Sequence, residues 1–143
     1  MSAQGLEAID HTVQLTHEWI NELTERLGWT SKRSALRLLR IGLHQIRDRL
    51  SPDELAQFSA QLPMLIRGML FEGWSPKHTP SKKRKLESID KDIVEAMGDD
   101  AEFVGIEDMT CVFSLLNHRI SRGEVEDIRA ALPESFRLLW AAP

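Results

Sequence analysis

The stretch SPDELAQFSAQLP runs from Ser51 to Pro63, and SRGEVEDIRAALP runs from Ser121 to Pro133. Each opens with a serine that has a glutamate three residues later, and each closes on Leu-Pro. Ser-x-x-Glu is the capping box of a helix start, in which each side chain satisfies a backbone N–H of the other residue. Pro52 follows Ser51 at the first helical position, where a missing N–H costs nothing. The closing Leu-Pro acts in the opposite sense, because a residue before proline is driven out of the α region. A start and a stop so close together define a short helix with a corner after it. This chain specifies that unit twice.

The two copies stand 70 positions apart, and the offset holds far outside them. Gly98 falls on Gly28, Arg119 on Arg49, Ala130 on Ala60 and Arg137 on Arg67. Apolar positions keep the register, with Leu39 on Met109, Leu43 on Phe113, Ile46 on Leu116 and Phe58 on Ile128. A constant offset of this kind reads as an internal duplication. Two copies favour a compact pair over an open solenoid, since stacked repeats usually need three or more units. The fold expected is all-α, with eight helices in two pseudo-repeated four-helix halves. The first half covers 10–74, a linker covers 75–81 and the second half covers 82–140, the two packed as one compact unit.

Periodicity places the helices. Val13, Thr16, Ile20, Leu23 and Leu27 share a face over 10–27, with Asp10 as cap and Gly28 as terminator. Ala35, Leu36, Leu39, Leu43, Ile46 and Leu50 do so over 32–49. After the capped helix from Ser51, Pro63 opens a fourth with Leu65, Ile66, Met69 and Leu70. The second half repeats this with helices over 82–97 and 105–119, a capped helix from Ser121 and a last one carrying Phe136, Leu139 and Trp140. The chain has no tyrosine and is rich in helix formers.

The same numbers restrict function. With 143 residues the chain buries roughly 68–70% of its unfolded surface without staples. Cys111 is the single cysteine, so no internal disulfide forms. The start MSAQGLEAIDHTVQ lacks a basic region and an apolar core, and no apolar run approaches the ~20 residues of a membrane span. The expectation is a cytoplasmic protein with no membrane association. A net charge of −4 argues against broad nucleic-acid binding while leaving room for a local basic patch.

The segment LHQIRDRLSPDELAQFSAQLPMLIRGMLFEGWSP resembles the bacterial family catalogued as domain of unknown function 2267. Arg47–Leu50 (RDRL), Ala60–Pro63 (AQLP), Arg67-Gly68 and the Glu72–Pro76 stretch EGW-x-P carry the likeness, and ISRGEVEDIRAALP in the second half shares it. The resemblance extends from about His11 to Trp140. It implies an all-helical bacterial protein and transfers no reaction, cofactor or catalytic residue. The stretch Pro76 to Lys85 is more basic than the resemblance leads one to expect.

Searches for chemistry return little. His17 opens HEWIN, but Asn21 stands where a zinc-protease helix needs its second histidine. No glutamate stands three residues before any histidine. The plain reading of all five histidines is surface or edge, with no metal and no cofactor. Cys111 pairs with core position Ile41 in the repeat, which fits a packed thiol better than a nucleophile. Phosphate-loop and serine-elbow motifs are absent, so no catalytic residue is assigned.

The candidate partner-binding residues are therefore those that the duplication does not echo. Arg47 and Asp48 are replaced by Asn117 and His118 in the second copy. Lys82, Lys83, Arg84 and Lys85 crowd the expected start of a helix, where positive charge opposes the dipole. Trp29 and Trp74 flank corners and either anchor a partner or plug the seam between packed units. Three readings follow. The first is a non-catalytic protein-interaction, stress or regulatory adaptor module with an unknown protein partner, a homo-oligomer included. The second is a weak nucleic-acid or phosphate binder using 82–85, salt-sensitive and without sequence readout. The third is an enzyme or small-ligand protein with a site between the halves.

Overall fold

The computed structural model describes residues 5–141; Met1–Gln4, part of the stretch read for a leader, lie outside it. α1 (Glu7–Leu27) begins three residues before the expected Asp10 cap, with Leu6 at the N-cap and no side chain bonded there. Gly28 ends it in the left-handed conformation (φ 69°, ψ 24°), which only a residue without a Cβ adopts cheaply. Thr16, Trp19, Ile20 and Leu23 are buried, whereas Val13, expected on that face, is exposed.

α2 (Lys32–Arg47) starts on the Ser31 cap, whose hydroxyl accepts from the Ser34 N–H. Glu102, far along the chain, adds a second cap by accepting from Thr30 and Ser31 N–H at 2.7 and 3.0 Å. α3 (Pro52–Ala60) carries the full capping box of Ser51 and Glu54. The corner at Leu62-Pro63 leads into α4 (Met64–Leu70). An irregular stretch with one 3-10 turn at Pro76–His78 follows.

α5 (Leu86–Met97) begins four residues later than expected, so Lys82–Arg84 stand outside the helix and Lys85 is its N-cap. Lys85 stays at the positive end of the helix dipole, while Lys82–Arg84 stand progressively farther from it. A 3-10 turn at Ile106–Asp108 precedes α6 (Met109–Arg119), which also starts late. α7 (Arg122–Ala131) is capped by Ser121, and α8 (Glu134–Leu139) follows the corner at Leu132-Pro133. The described residues contain eight α-helices and no strand.

α1 packs on α2, α4 and α6; α2 also packs on α5 and α6, and α3 meets α7. The buried apolar side chains form one cluster, from Trp19 and Leu23 in α1 to Phe136 and Trp140 at the far end. Phe113 is its centre in the second half, stacked on Trp140 at 4.6 Å and edge-on to Phe136 at 5.8 Å. Gly42 lets α2 approach α6: a Cβ there would stand 3.0 Å from Met109 Cε and 3.3 Å from Val112 Cγ1. No helix among the described residues is long and apolar enough to cross a membrane.

Candidate functional site

The end of α2 is where unechoed residues and the linker meet. Arg47 is 5% exposed, and its guanidinium is spent on the protein. Nε donates to Asp48 Oδ1 at 2.8 Å, and Nη1 donates to the Leu70 and Glu72 carbonyls at 2.9 and 2.6 Å. Leu70 closes α4 and Glu72 lies in the turn after it, where carbonyls have no helical partners. Arg47 thus satisfies the end of one helix from the end of another, and Asp48 balances its charge.

Arg49, two residues on, is 4% exposed. Its Nε donates to the Lys83 carbonyl at 3.1 Å, and Nη1 donates to Gln45 O and Oε1, both at 2.9 Å. The guanidinium lies 5.6 Å from the centre of the Phe136 ring. Burial lowers its pKa from the ordinary arginine value.

The linker folds back over these groups. The Ser81 N–H donates to the Asp48 carbonyl, and Ser75 Oγ and His78 Nδ1 share a hydrogen bond of 2.9 Å. Between linker, α2 and α5 lies an open cleft of about 320 Å³. Its wall includes Arg47, Asp48 and Arg49, the linker side chains Ser75, His78, Thr79 and Ser81, and Lys83 and Asp92. Sequence reasoning singled out Arg47, Asp48 and Lys83. It took Ser75, His78, Thr79 and Ser81 for plain linker and passed over Asp92, since only the folded chain brings the linker against α2.

The four basic residues at 82–85 are all exposed but do not act as one patch. Lys83 Nζ stands 3.8 Å from Asp92 Oδ1. Arg84 Nη2 donates to the Ala131 carbonyl at 3.3 Å, and Ser135 Oγ donates to the Arg84 carbonyl. The stretch is therefore tied to α5 on one side and to the α7–α8 corner on the other. Trp29 and Trp74 are half-buried and pack against the core. Trp74 is edge-on to Phe71 at 5.5 Å, and its buried indole N–H has no partner among the described residues. Cys111 is half-buried; its thiol donates to the Arg26 carbonyl at 3.3 Å, and burial raises its pKa.

A second surface went unread in the sequence. Leu6, Ile9 and Val13 form an exposed apolar stripe along the first turns of α1, 40–56% exposed. Met64 and Leu65 at the start of α4 are exposed as well, and the Leu65 N–H donates to Thr12 Oγ1 at 3.0 Å, which holds the two elements side by side. Seventy positions on, Met64 and Leu65 become Glu134 and Ser135.

Among curated proteins no match to the chain is found. A family model described as "Uncharacterized conserved protein (DUF2267)" matches residues 16–139, from the middle of α1 to the end of α8. The second half of α1, helices α2 to α8, the two Leu-Pro corners and the cleft residues lie inside that match, and the chain belongs to the DUF2267 family.

Proposed function

We propose that this chain is a non-catalytic protein-interaction module that arose by duplication of a four-helix unit. The packing pattern supports the duplication. α1 packs on α6 as α5 packs on α2, and α2 meets α6 while α3 meets α7, the relations expected of two units about a pseudo-twofold axis. Arg67 and Arg137 each donate to the carbonyl of the corner leucine, Leu62 at 3.2 Å and Leu132 at 2.7 Å. On this reading the halves are 10–74 and 82–140, joined by the linker 75–81.

The observation that carries the interaction reading is the apolar surface of Leu6, Ile9, Val13, Met64 and Leu65. Soluble proteins seldom leave large apolar side chains grouped on one face unless something binds there. Its α4 part exists in one half only, where a duplicated protein places what the copies do not share. The partner fitted to it is an apolar face of another protein. This reading moves the docking surface away from Trp29 and Trp74, which fill seams, and from Lys82–Lys85, of which Lys83 and Arg84 are engaged internally.

The test is affinity capture from the native lysate with wild type and with an Ile9→Glu/Met64→Glu double variant. Both substituted side chains are exposed, so the variant keeps its helical circular dichroism. The expected result is a stoichiometric protein that survives nuclease and moderate salt and is lost on the variant. Capture of nucleic acid that salt removes, and that Lys82→Ala/Lys85→Ala weakens, would overturn this reading in favour of the basic stretch.

A further inference from the structure

Arg49 poses a question of charge balance. A buried cation is costly unless an anion sits against it. Among the described residues no carboxylate forms a direct ion pair with Arg49; it bonds uncharged oxygens and faces an aromatic ring. Of the other charges on the cleft wall, Arg47 is matched by Asp48 and Lys83 by Asp92. Arg49 is left over.

The other half shows how such an arginine can be matched. Arg119 stands 70 positions after Arg49, and Asp92 stands 70 positions after Glu22. In the α1–α6 contact Glu22 Oε1 reaches Arg119 Nη2 at 2.8 Å and closes that seam. In the α5–α2 contact the corresponding carboxylate is Asp92, one methylene shorter. It stands 3.8 Å from Lys83 instead of on Arg49, and the space beside them is the 320 Å³ cleft.

We propose that this cleft is a binding site for a small phosphate-type oxyanion, which meets Nη2 of Arg49 as the Glu22 carboxylate meets Nη2 of Arg119, the Arg49 Nε being taken by the Lys83 carbonyl. Nε–H and both Nη1 hydrogens of Arg49 are already donated, so only its Nη2 hydrogens serve a ligand. That removes the parallel two-toothed fork which suits a planar carboxylate. Single contacts from several directions remain, from Arg49, from Lys83 and from the Ser81 hydroxyl, which accepts from the Lys83 N–H and keeps its own hydrogen, and these suit a tetrahedral anion; the Thr79 hydroxyl is already donated to the Pro76 carbonyl and Ser75 Oγ is shared with His78. Asp48 and Asp92 share the wall, and their pairing with Arg47 and Lys83 leaves one net positive charge for the ligand. The cleft shares the 70-residue register with the proposed duplication and owes nothing to the apolar docking surface.

Isothermal titration calorimetry of the whole chain with inorganic phosphate at low ionic strength tests this. Sodium chloride of matched ionic strength and sodium acetate serve as controls. Asp92→Glu is the informative variant, because the longer side chain is built to reach Arg49 as Glu22 reaches Arg119. It should weaken phosphate binding at least tenfold while the melting temperature stays level or rises. Arg49→Gln should weaken it to a similar degree. Glycerol 3-phosphate run beside phosphate shows whether the natural ligand carries an organic group: a tighter ester means that it does, an equal affinity that the free anion suffices. The proposal is overturned if phosphate fails to bind the wild type, if acetate binds as tightly, or if Asp92→Glu binds phosphate unchanged.

Discussion

Glu22 gathers three partners from two helices, two arginines and a histidine. Arg26 Nε stands 2.8 Å away on its own helix, and His118 Nδ1 and Arg119 Nη2 reach it from the end of α6, each at 2.8 Å. Burial pushes its carboxyl pKa up, but the hydrogen bonds from Arg26 and His118 and the charge of Arg119 outweigh that and leave it below the ordinary value. A carboxyl with a depressed folded pKa binds fewer protons folded than unfolded. Its contribution is therefore fully present above the unfolded carboxyl value and fades as pH falls through the lower folded value. Glu22→Gln should flatten the loss of stability on acidification below about pH 4.5 and should lower stability at pH 7. Urea unfolding at a series of pH values checks this; parallel curves for the two proteins would contradict it. Arg26 is an ordinary i,i+4 partner, but the two from α6 were not visible in the sequence, where Glu22 is one acidic residue among many and Arg119 stands 70 positions after Arg49. The sequence set Arg49 and Arg119, 70 positions apart, as shared residues and gave preference to the unshared Arg47 and Asp48; the difference between the two arginines' surroundings became informative only with the carboxylates in place.

At the scale of the element, the two capped helices separate what local sequence decides from what packing decides. Both serine hydroxyls accept from the glutamate N–H at 3.2 Å, as the motif requires. The reciprocal bond forms only at Ser51, whose N–H donates to Glu54 Oε1 at 2.7 Å. The Ser121 N–H donates instead to Gln61 Oε1 at 3.1 Å, from the end of α3. The motif was legible twice, but the competitor in the second case belongs to another helix. Glu124 is then left with a pKa raised first by burial and then by Asp127. Ser51→Ala and Ser121→Ala should each cost about 1 kcal/mol. Glu54→Ala should cost about 1 kcal/mol as well, whereas Glu124→Ala should be close to neutral. Denaturant midpoints of the four variants decide it, and equal losses for the two glutamates would refute the asymmetry. The late start of α5 has the same origin. Its first residues by composition are held elsewhere, Lys83 near Asp92 and Arg84 on the Ala131 carbonyl, so the helix begins after them.

For the whole molecule the decisive fact is one apolar cluster drawn from all the long helices. α1 is buried against α6 as well as α2, so neither run of four helices encloses its own apolar face. Thermal unfolding should therefore be a single transition, with the calorimetric enthalpy equal to the van't Hoff enthalpy. Residues 1–74 expressed alone should bind an apolar dye and lack a cooperative melt. Two resolved heat-capacity peaks, or an independently melting fragment, would show that each run holds its own core. The class of fold and the corners were readable because they rest on local rules, proline geometry and helical period. The cleft was not, because it depends on where a linker of ordinary composition comes to rest.

That resting place has an optical consequence. Trp74 lies between Gly73 and Ser75, both on the cleft wall. Trp19 and Trp140 are sealed in the core, and the Trp140 indole already donates to Asn117 Oδ1 at 2.7 Å. The Trp74 N–H has no such partner, so small shifts of the linker change the polarity around one indole out of four. The protein thus carries its own fluorescent gauge beside the cleft, in which a change of emission colour reports the linker while the core tryptophans stay dark to the event.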